Sequence, residues 1–87
     1  MRKTILIVED YEDIRDFMKI ILESYGYKVI EATDGIEAID SFKNFNPDLI
    51  LMDISLPMVD GLTATKTIRG FCDGTKIPII ALTAFGK

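Results

Sequence analysis

The stretch Leu49-Ile50-Leu51-Met52-Asp53 decides the fold, because four consecutive apolar side chains end abruptly in a carboxylate. A short apolar run bounded by turn residues is typical of a strand buried on both faces, as in a parallel sheet covered by helices. In open α/β sheets, ligands bind outside the carboxyl ends of the strands. Asp53 is therefore a candidate site residue, although an Asp at a strand end often merely begins a loop.

Three further strands are predicted on either side of this one. The apolar stretch Thr4–Val8 predicts an interior strand, whereas Lys28–Ala32 alternates apolar and polar side chains, as an edge strand with one exposed face does. Residues 77–82 predict the fourth strand, with Pro78 near its start, where a missing N–H is tolerated.

Apolar residues at helical spacing predict three helices between these strands, over 12–25, from 36 to about 44–47, and over 62–70. Gly26 ends the first helix, and threonines weaken the prediction of the third. We interpret the apolar positions as packed core, not as a cofactor-binding surface. They are Ile14, Phe17, Met18, Ile21 and Leu22 in the first helix, Ile36, Ala38, Ile39 and Phe42 in the second, and Ala64, Ile68 and Phe71 in the third.

The alternating order of strands and helices predicts an α/β fold with a parallel sheet. Right-handed crossovers, with a reversal of direction after the second strand, give the strand order 2-1-3-4 and place the switch point between strands one and three. Glu9 and Asp10 follow the first strand and Asp53 ends the third. The topology therefore predicts that these three acids meet in one crevice.

Length and composition limit the class of protein. The 87 residues suffice for one small domain, and although 48% of them are hydrophobic, no apolar run approaches the length of a membrane helix. Glu9 and Asp10 interrupt the first apolar run too early for a signal peptide. A net charge of -4 without a basic run argues against direct binding of nucleic acid. We expect a soluble protein of the cytoplasm without a membrane partner.

Two residue counts narrow the possible chemistry. A single cysteine, Cys72, excludes an intramolecular disulfide and a cysteine-based zinc cluster, which fits a reducing compartment. The absence of histidine excludes a Ser-His-Asp triad and a histidine metal site within this chain. Any reaction must rest on carboxylates, hydroxyls, lysine or a hard metal ion.

Three clustered carboxylates repel one another, and a divalent cation is the simplest way to keep them ionised together. Oxygen ligands without histidine suit Mg²⁺. Thr83, at the end of the fourth strand, adds a hydroxyl to the rim of the same crevice. Such a site is equipped for attack of a carboxylate on phosphorus. The alternative is that Glu9 and Asp10 only cap the first helix and Thr83 is only a turn hydroxyl.

Four segments, in their order and spacing, resemble the receiver domain of bacterial two-component response regulators. They are residues 5–10 (ILIVED), 32–38 (ATDGIEA), 47–61 (PDLILMDISLPMVDG) and 78–84 (PIIALTA). The resemblance implies a flavodoxin-like, CheY-like fold of three layers. It also implies that Asp53 accepts a phosphoryl group from the phosphohistidine of a sensor histidine kinase or phosphotransfer protein. By the same resemblance, Asp10, Asp53 and the main-chain carbonyl of Ser55 hold Mg²⁺ with help from Glu9, and Thr83 contacts the phosphoryl oxygens.

The sequence departs from the family pattern at its carboxyl end. Receivers usually continue with a helix, a fifth strand and a final helix, and we interpret residues 1–87 as a single, incomplete receiver domain that lacks them. The lysine that ends the fifth strand has no counterpart, and Lys87 is too close to Thr83 to be assigned that role. The fourth strand would then be an open edge, and the sheet face that carries only the first helix would lack its second cover, so self-association is expected.

We expect a phosphoacceptor switch, at most slowly self-catalysed, and not a turnover enzyme. The alternative is a truncated or engineered fragment that signals poorly and mainly self-associates through its fourth strand and uncovered face. A haloacid-dehalogenase-like phosphatase ranks lower, because it would need an Asp at position 55, which is Ser. A flavodoxin also ranks lower, because the acids after the first strand would repel a phosphate.

Overall fold

Strands and helices alternate along the chain. The computed structural model describes residues 2–54, 56, 59–71 and 76–82. Within these residues, strands β1 to β4 are Thr4–Val8, Lys28–Ala32, Leu49–Asp53 and Ile79–Leu82, and helices α1 to α3 are Glu12–Ser24, Gly35–Phe45 and Gly61–Arg69.

The described strands form one parallel sheet in the order β2-β1-β3-β4, which confirms the predicted topology. The central pair is β1 and β3, with Val8 beside Met52. β2 and β4 lie at the two edges of the described sheet. Residues that follow β1 and β3 therefore emerge side by side at the same end of the sheet.

The main core lies between the sheet and helices α2 and α3. Its strand residues are Leu6, Val8, Ala32, Ile50 and Met52, and its helix residues are Ala38, Phe42, Ala64 and Ile68. The rings of Phe42 and Phe71 stack with their centroids 6.0 Å apart at the edge of this core. The predicted core positions of α2 and α3 are thus confirmed, except for Ile36, which lies in the exposed first turn of α2.

The interpretation of the α1 stripe as packed core was wrong. None of the residues of α1, all of which the structure describes, is buried, and 65% of the Phe17 surface is exposed. Ile14 and Ile21 are exposed as well, while Met18 and Leu22 are partly covered. The physical reason is that α1 packs against β1 and β2, so one side of its apolar stripe has the sheet beneath it and the other side does not.

The start of β4 also differs from the prediction. β4 begins at Ile79 and not at Ile77, because Pro78 lacks the N–H that a strand would use. Helix α3 forms despite its threonines, whose hydroxyls bond back into the helix: Thr65 Oγ1 donates to the carbonyl of Gly61 at 2.7 Å, and Thr67 Oγ1 donates to that of Thr63 at 3.0 Å.

The ends of the helices follow ordinary rules. Gly26, after α1, has φ = +92°, a conformation that glycine adopts readily. Asp34 caps α2 by accepting a hydrogen bond from the N–H of Glu37 at 2.8 Å. The described helices include none that is long and apolar enough to span a membrane.

Candidate functional site

The ends of the central strands bring three carboxylates together. Glu9 and Asp10 follow β1, and Asp53 is the last residue of β3. One carboxylate oxygen from each of the three lies within 4.8 Å of the others. Asp53 is fully buried and Glu9 is 3% exposed, whereas Asp10 is partly exposed. The predicted convergence of these acids in one crevice is confirmed.

Hydrogen bonds to both its main chain and its side chain hold Glu9 in place. Its N–H donates to the carbonyl of Ala32 at 3.1 Å, which extends the β1–β2 ladder by one bond. Its carboxylate accepts a hydrogen bond from the N–H of Tyr11 at 3.1 Å, and its carbonyl accepts one from Arg15 Nη1 at 2.9 Å. The N-cap position of α1 belongs to Tyr11, so neither Glu9 nor Asp10 occupies it.

The first turn of α3 packs closely against the main chain of Asp53. A Cβ at Gly61 would lie 2.2 Å from the carbonyl oxygen of Asp53 and 2.7 Å from the Cα of Ile54, so only glycine allows the first turn of α3 to come this close. On the other side, the N–H of Ile54 donates to the carbonyl of Leu82 at 3.3 Å. The end of β3 is thus positioned between α3 and β4.

The described end of the β3–α3 loop is fastened to α2 and α3. The N–H of Gly35 donates to the carbonyl of Val59 at 3.1 Å, and a Cβ at Gly35 would lie 2.1 Å from that oxygen. Asp60 caps α3 by accepting a hydrogen bond from the N–H of Thr63 at 2.7 Å. This hydrogen bond is the main reason why the pKa of Asp60 lies below its ordinary value.

The donor set fits a hard divalent cation. Carboxylates are costly to bury as anions unless opposite charge compensates them, and two of these three acids are almost completely enclosed. Carboxylate oxygens are the ligands that Mg²⁺ prefers, and the cluster found among the described residues consists of carboxylates. The cluster of Glu9, Asp10 and Asp53 could therefore hold such an ion.

Two residues of the predicted site, Ser55 and Thr83, lie outside the described residues, so their predicted roles stay predictions. Sequence reasoning missed Arg15, which contacts the main chain of Glu9, and its partner Glu31 on β2. The available signal was a basic residue in the otherwise acidic first part of α1. It is weak, because surface helices carry many such residues.

The fold and the acidic crevice together define an α/β module of the flavodoxin-like class with its site at the switch point of the sheet. The family model of the response regulator receiver domain matches residues 5–87. The chain belongs to this family. The resemblance predicted from the sequence segments is thus confirmed, as is the fold class.

Named relatives and solved structures agree. The chain is 44% identical over 85 residues to the polar-differentiation response regulator DivK of Brucella ovis, a match that covers 98% of the chain and 69% of that protein. It is 42% identical, with a TM-score of 0.93, to a crystal structure of the receiver domain of a sensor histidine kinase from Pseudomonas aeruginosa PAO1, which has a magnesium ion coordinated in its active site cleft. That match covers 98% of the chain and 70% of the solved domain. The chemotaxis response regulator CheY4 of Vibrio cholerae is 29% identical, also with a TM-score of 0.93, over 100% of the chain and 71% of CheY4.

Proposed function

We propose that this chain is a phosphoacceptor module of a two-component system, and that Asp53 receives a phosphoryl group from a sensor histidine kinase or a phosphotransfer protein. The observation that carries the proposal is the position of Asp53 at the carboxyl end of β3, with carboxylate oxygens of Glu9 and Asp10 within 4.8 Å of its own. The 87 residues contain no histidine, so the phosphohistidine must lie outside them.

The proposed reaction transfers one phosphoryl group. A carboxylate oxygen of Asp53 attacks phosphorus, the bond between phosphorus and the imidazole nitrogen of the donor breaks, and the released imidazole takes up a proton. The product is an acyl phosphate, which water hydrolyses slowly to restore the carboxylate. The module is consequently a switch and not a turnover enzyme.

The same proposal assigns Mg²⁺ to the crevice. The carboxylates of Asp10 and Asp53 and the main-chain carbonyl of Ser55 would hold the ion, with Glu9 assisting. When bound, the ion neutralises part of the negative charge between the Asp53 carboxylate and the phosphoryl oxygens. The Thr83 hydroxyl is assigned a contact with the phosphoryl oxygens. The roles of Ser55 and Thr83 rest on the sequence alone.

Acetyl phosphate, a small phosphodonor, tests the proposal without a kinase. With Mg²⁺ present, the intact protein should gain the mass of one phosphoryl group, and Asp53→Asn should abolish the gain. Asp40→Asn is the matched control, because Asp40 is an exposed acid on α2, away from the crevice. Equal phosphorylation of the Asp53→Asn variant and the wild-type chain would contradict the proposal.

A second candidate function is self-association, and one surface favours it. Ile7, Leu51 and Ile80 lie in one lateral row, so they share a face of the sheet, the face on which α1 packs. Ile80, on the edge strand β4, is 50% exposed. The exposed apolar residues on this side of the sheet include Ile14, Phe17 and Ile21 of α1 and Ile80 of β4. Exposed apolar residues together with the edge strand of the described sheet are suited to contact with a second copy of the chain.

Sedimentation velocity at micromolar concentration tests this candidate. The wild-type chain should sediment as a dimer or larger, and Ile80→Glu should shift it toward monomer. Ile36→Glu is the matched control, because Ile36 is an exposed isoleucine of α2, the helix that packs on the opposite face. A compact wild-type monomer would rule self-association out.

The proposed location is the cytoplasm, since the single cysteine is typical of reducing compartments.

A further inference from the structure

We propose that Arg15 is a positioning residue for the metal-binding carboxylates, and that Glu31 holds Arg15 in place. The inference rests on the proposed function, because it concerns the Mg²⁺ site assigned there. Arg15 Nη1 donates to the carbonyl oxygen of Glu9 at 2.9 Å, while Arg15 Nε donates to Glu31 Oε1 at 3.2 Å. The Arg15 side chain is 14% exposed, so water screens these contacts only partly.

The carbonyl that Arg15 contacts belongs to the peptide bond between Glu9 and Asp10. Val8 is the last residue of β1 to pair with both neighbouring strands, and the N–H of Glu9 makes one further bond, to Ala32. The Glu9–Asp10 peptide therefore lies at the end of the strand register, and Arg15 adds a hydrogen bond to its carbonyl there. The rotation of this peptide sets the direction of the side chains on both sides of it. Fixing this one carbonyl orients two of the three carboxylates.

Arginine suits this task better than lysine. The guanidinium group is a rigid, planar fork, and its Nε and Nη1 groups can hold a carboxylate and a carbonyl at once with defined geometry. A lysine ammonium in the same place would keep the charge but would be a mobile point donor. Glu31 lies on β2, so the contact connects the edge of the sheet to the carboxyl end of β1 through α1.

Lys19 provides an internal comparison. It lies one helical turn after Arg15 and pairs with the second oxygen of the same carboxylate, with its Nζ 3.4 Å from Glu31 Oε2. The two cations thus share one partner, but the described contact with Glu9 is made by Arg15. If Arg15 acted on stability alone, substitutions of Arg15 and of Lys19 should change Mg²⁺ binding alike. If Arg15 positions the metal ligands, its substitution should weaken Mg²⁺ binding and substitution of Lys19 should not.

The positive charge of Arg15 should weaken Mg²⁺ binding, whereas its hydrogen bond to the carbonyl of Glu9 should strengthen it. A positive guanidinium near the crevice disfavours a second cation, so loss of charge alone should tighten Mg²⁺ binding. Loss of the hydrogen bond to Glu9 should weaken it, because the outer partners that orient metal ligands contribute to affinity. Glu31 already compensates the Arg15 charge, and so we expect the geometric effect to be the larger.

The test is a Mg²⁺ titration followed by the amide NMR shifts of residues 9, 10 and 53, with a urea unfolding curve for each variant. Arg15→Lys preserves charge and removes the fork, and it should weaken Mg²⁺ binding about tenfold. Arg15→Ala should weaken it as well, Glu31→Gln to a smaller extent, and Lys19→Gln should leave it unchanged.

The outcomes separate this inference from the proposed function. If the wild-type chain binds Mg²⁺ and the folded Arg15→Lys variant binds it equally well, or if Arg15→Ala binds it more tightly, the inference is wrong while the proposed function stands. If Arg15→Lys and Lys19→Gln weakened Mg²⁺ binding equally, the inference would also be wrong, because the effect would then not be specific to the Arg15 contact with Glu9. If the wild-type chain binds no Mg²⁺, both the inference and the proposed metal site fail. If Arg15→Ala does not fold, Arg15→Lys decides.

Discussion

The two faces of the sheet differ in how far their helices cover them. On the covered face, the lateral row Leu6, Ile50 and Ile79 packs into the core under α2 and α3, and even Ile79 on the edge strand is partly buried. On the α1 face, the row Ile7, Leu51 and Ile80 goes from fully buried to half exposed across three strands. Similar aliphatic side chains are therefore buried to different extents on the two faces, because the helices cover one face more completely than the other.

The largest effect that tests this comparison comes from matched truncations on the two faces. Ile50→Ala should lower the free energy of unfolding by about 2–5 kcal/mol, because it removes buried methyl groups and leaves a cavity. Ile80→Ala should lower it by about 1 kcal/mol, because half of that side chain is already in water. Urea unfolding curves measure both. Similar losses would mean that the α1 face is covered in solution, for instance by a second copy of the chain.

A smaller effect is expected where the covered face meets the crevice. Gly61→Ala places a Cβ against the main chain of Asp53 and Ile54, so α3 or the end of β3 must shift. We expect a loss of about 1–3 kcal/mol in stability, together with weaker Mg²⁺ binding. Gly70→Ala is the milder comparison, since its Cβ would lie 3.3 Å from the carbonyl oxygen of Thr67, which must shift by only a few tenths of an ångström. If both variants bind Mg²⁺ like the wild-type chain, the close approach of α3 is not needed to position Asp53.

Sequence reasoning was accurate where periodicity and topology decide the outcome. The bounds of β1 and β2, the strand order and the meeting of Glu9, Asp10 and Asp53 all follow from the alternation of strands and helices and from the handedness of crossovers. It failed where burial depends on what covers an element. The spacing of Ile14, Phe17 and Ile21 predicts an apolar face, but it does not reveal that, among the described strands, α1 packs mainly against β1 and β2. The Arg15 contact with Glu9 was missed because it depends on a side-chain conformation, which no pattern encodes.

The helix caps provide the next, smaller contrast between the faces. Asp34 caps α2 on the covered face, whereas Tyr11, the N-cap residue of α1, makes no side-chain cap hydrogen bond. Asp34→Ala should cost about 1 kcal/mol of stability, because the N–H of Glu37 loses its acceptor. Asp34→Asn should cost much less, since Asn is also a good N-cap residue. Unfolding midpoints of the two variants measure the difference, and equal losses would show that packing, not the cap, explains the effect.

The smallest expected effect is a pH dependence that originates at Asp60. Its pKa lies below the ordinary value of 3.8, first because the N–H of Thr63 donates to the carboxylate. A carboxyl group whose pKa is lower in the folded than in the unfolded state stabilises the fold above the unfolded pKa. That contribution is lost as the pH falls from about 3.8 through the lower folded pKa.

Asp60→Asn keeps a capping oxygen but does not titrate, so the stability of this variant should fall less steeply below pH 4. The difference should be small and should shrink in high salt, because the group is exposed to water. Parallel curves for the two proteins between pH 5 and pH 2 would show that Asp60 titrates alike in the folded and unfolded chain, and that the negative charge of its carboxylate does not stabilise the start of α3.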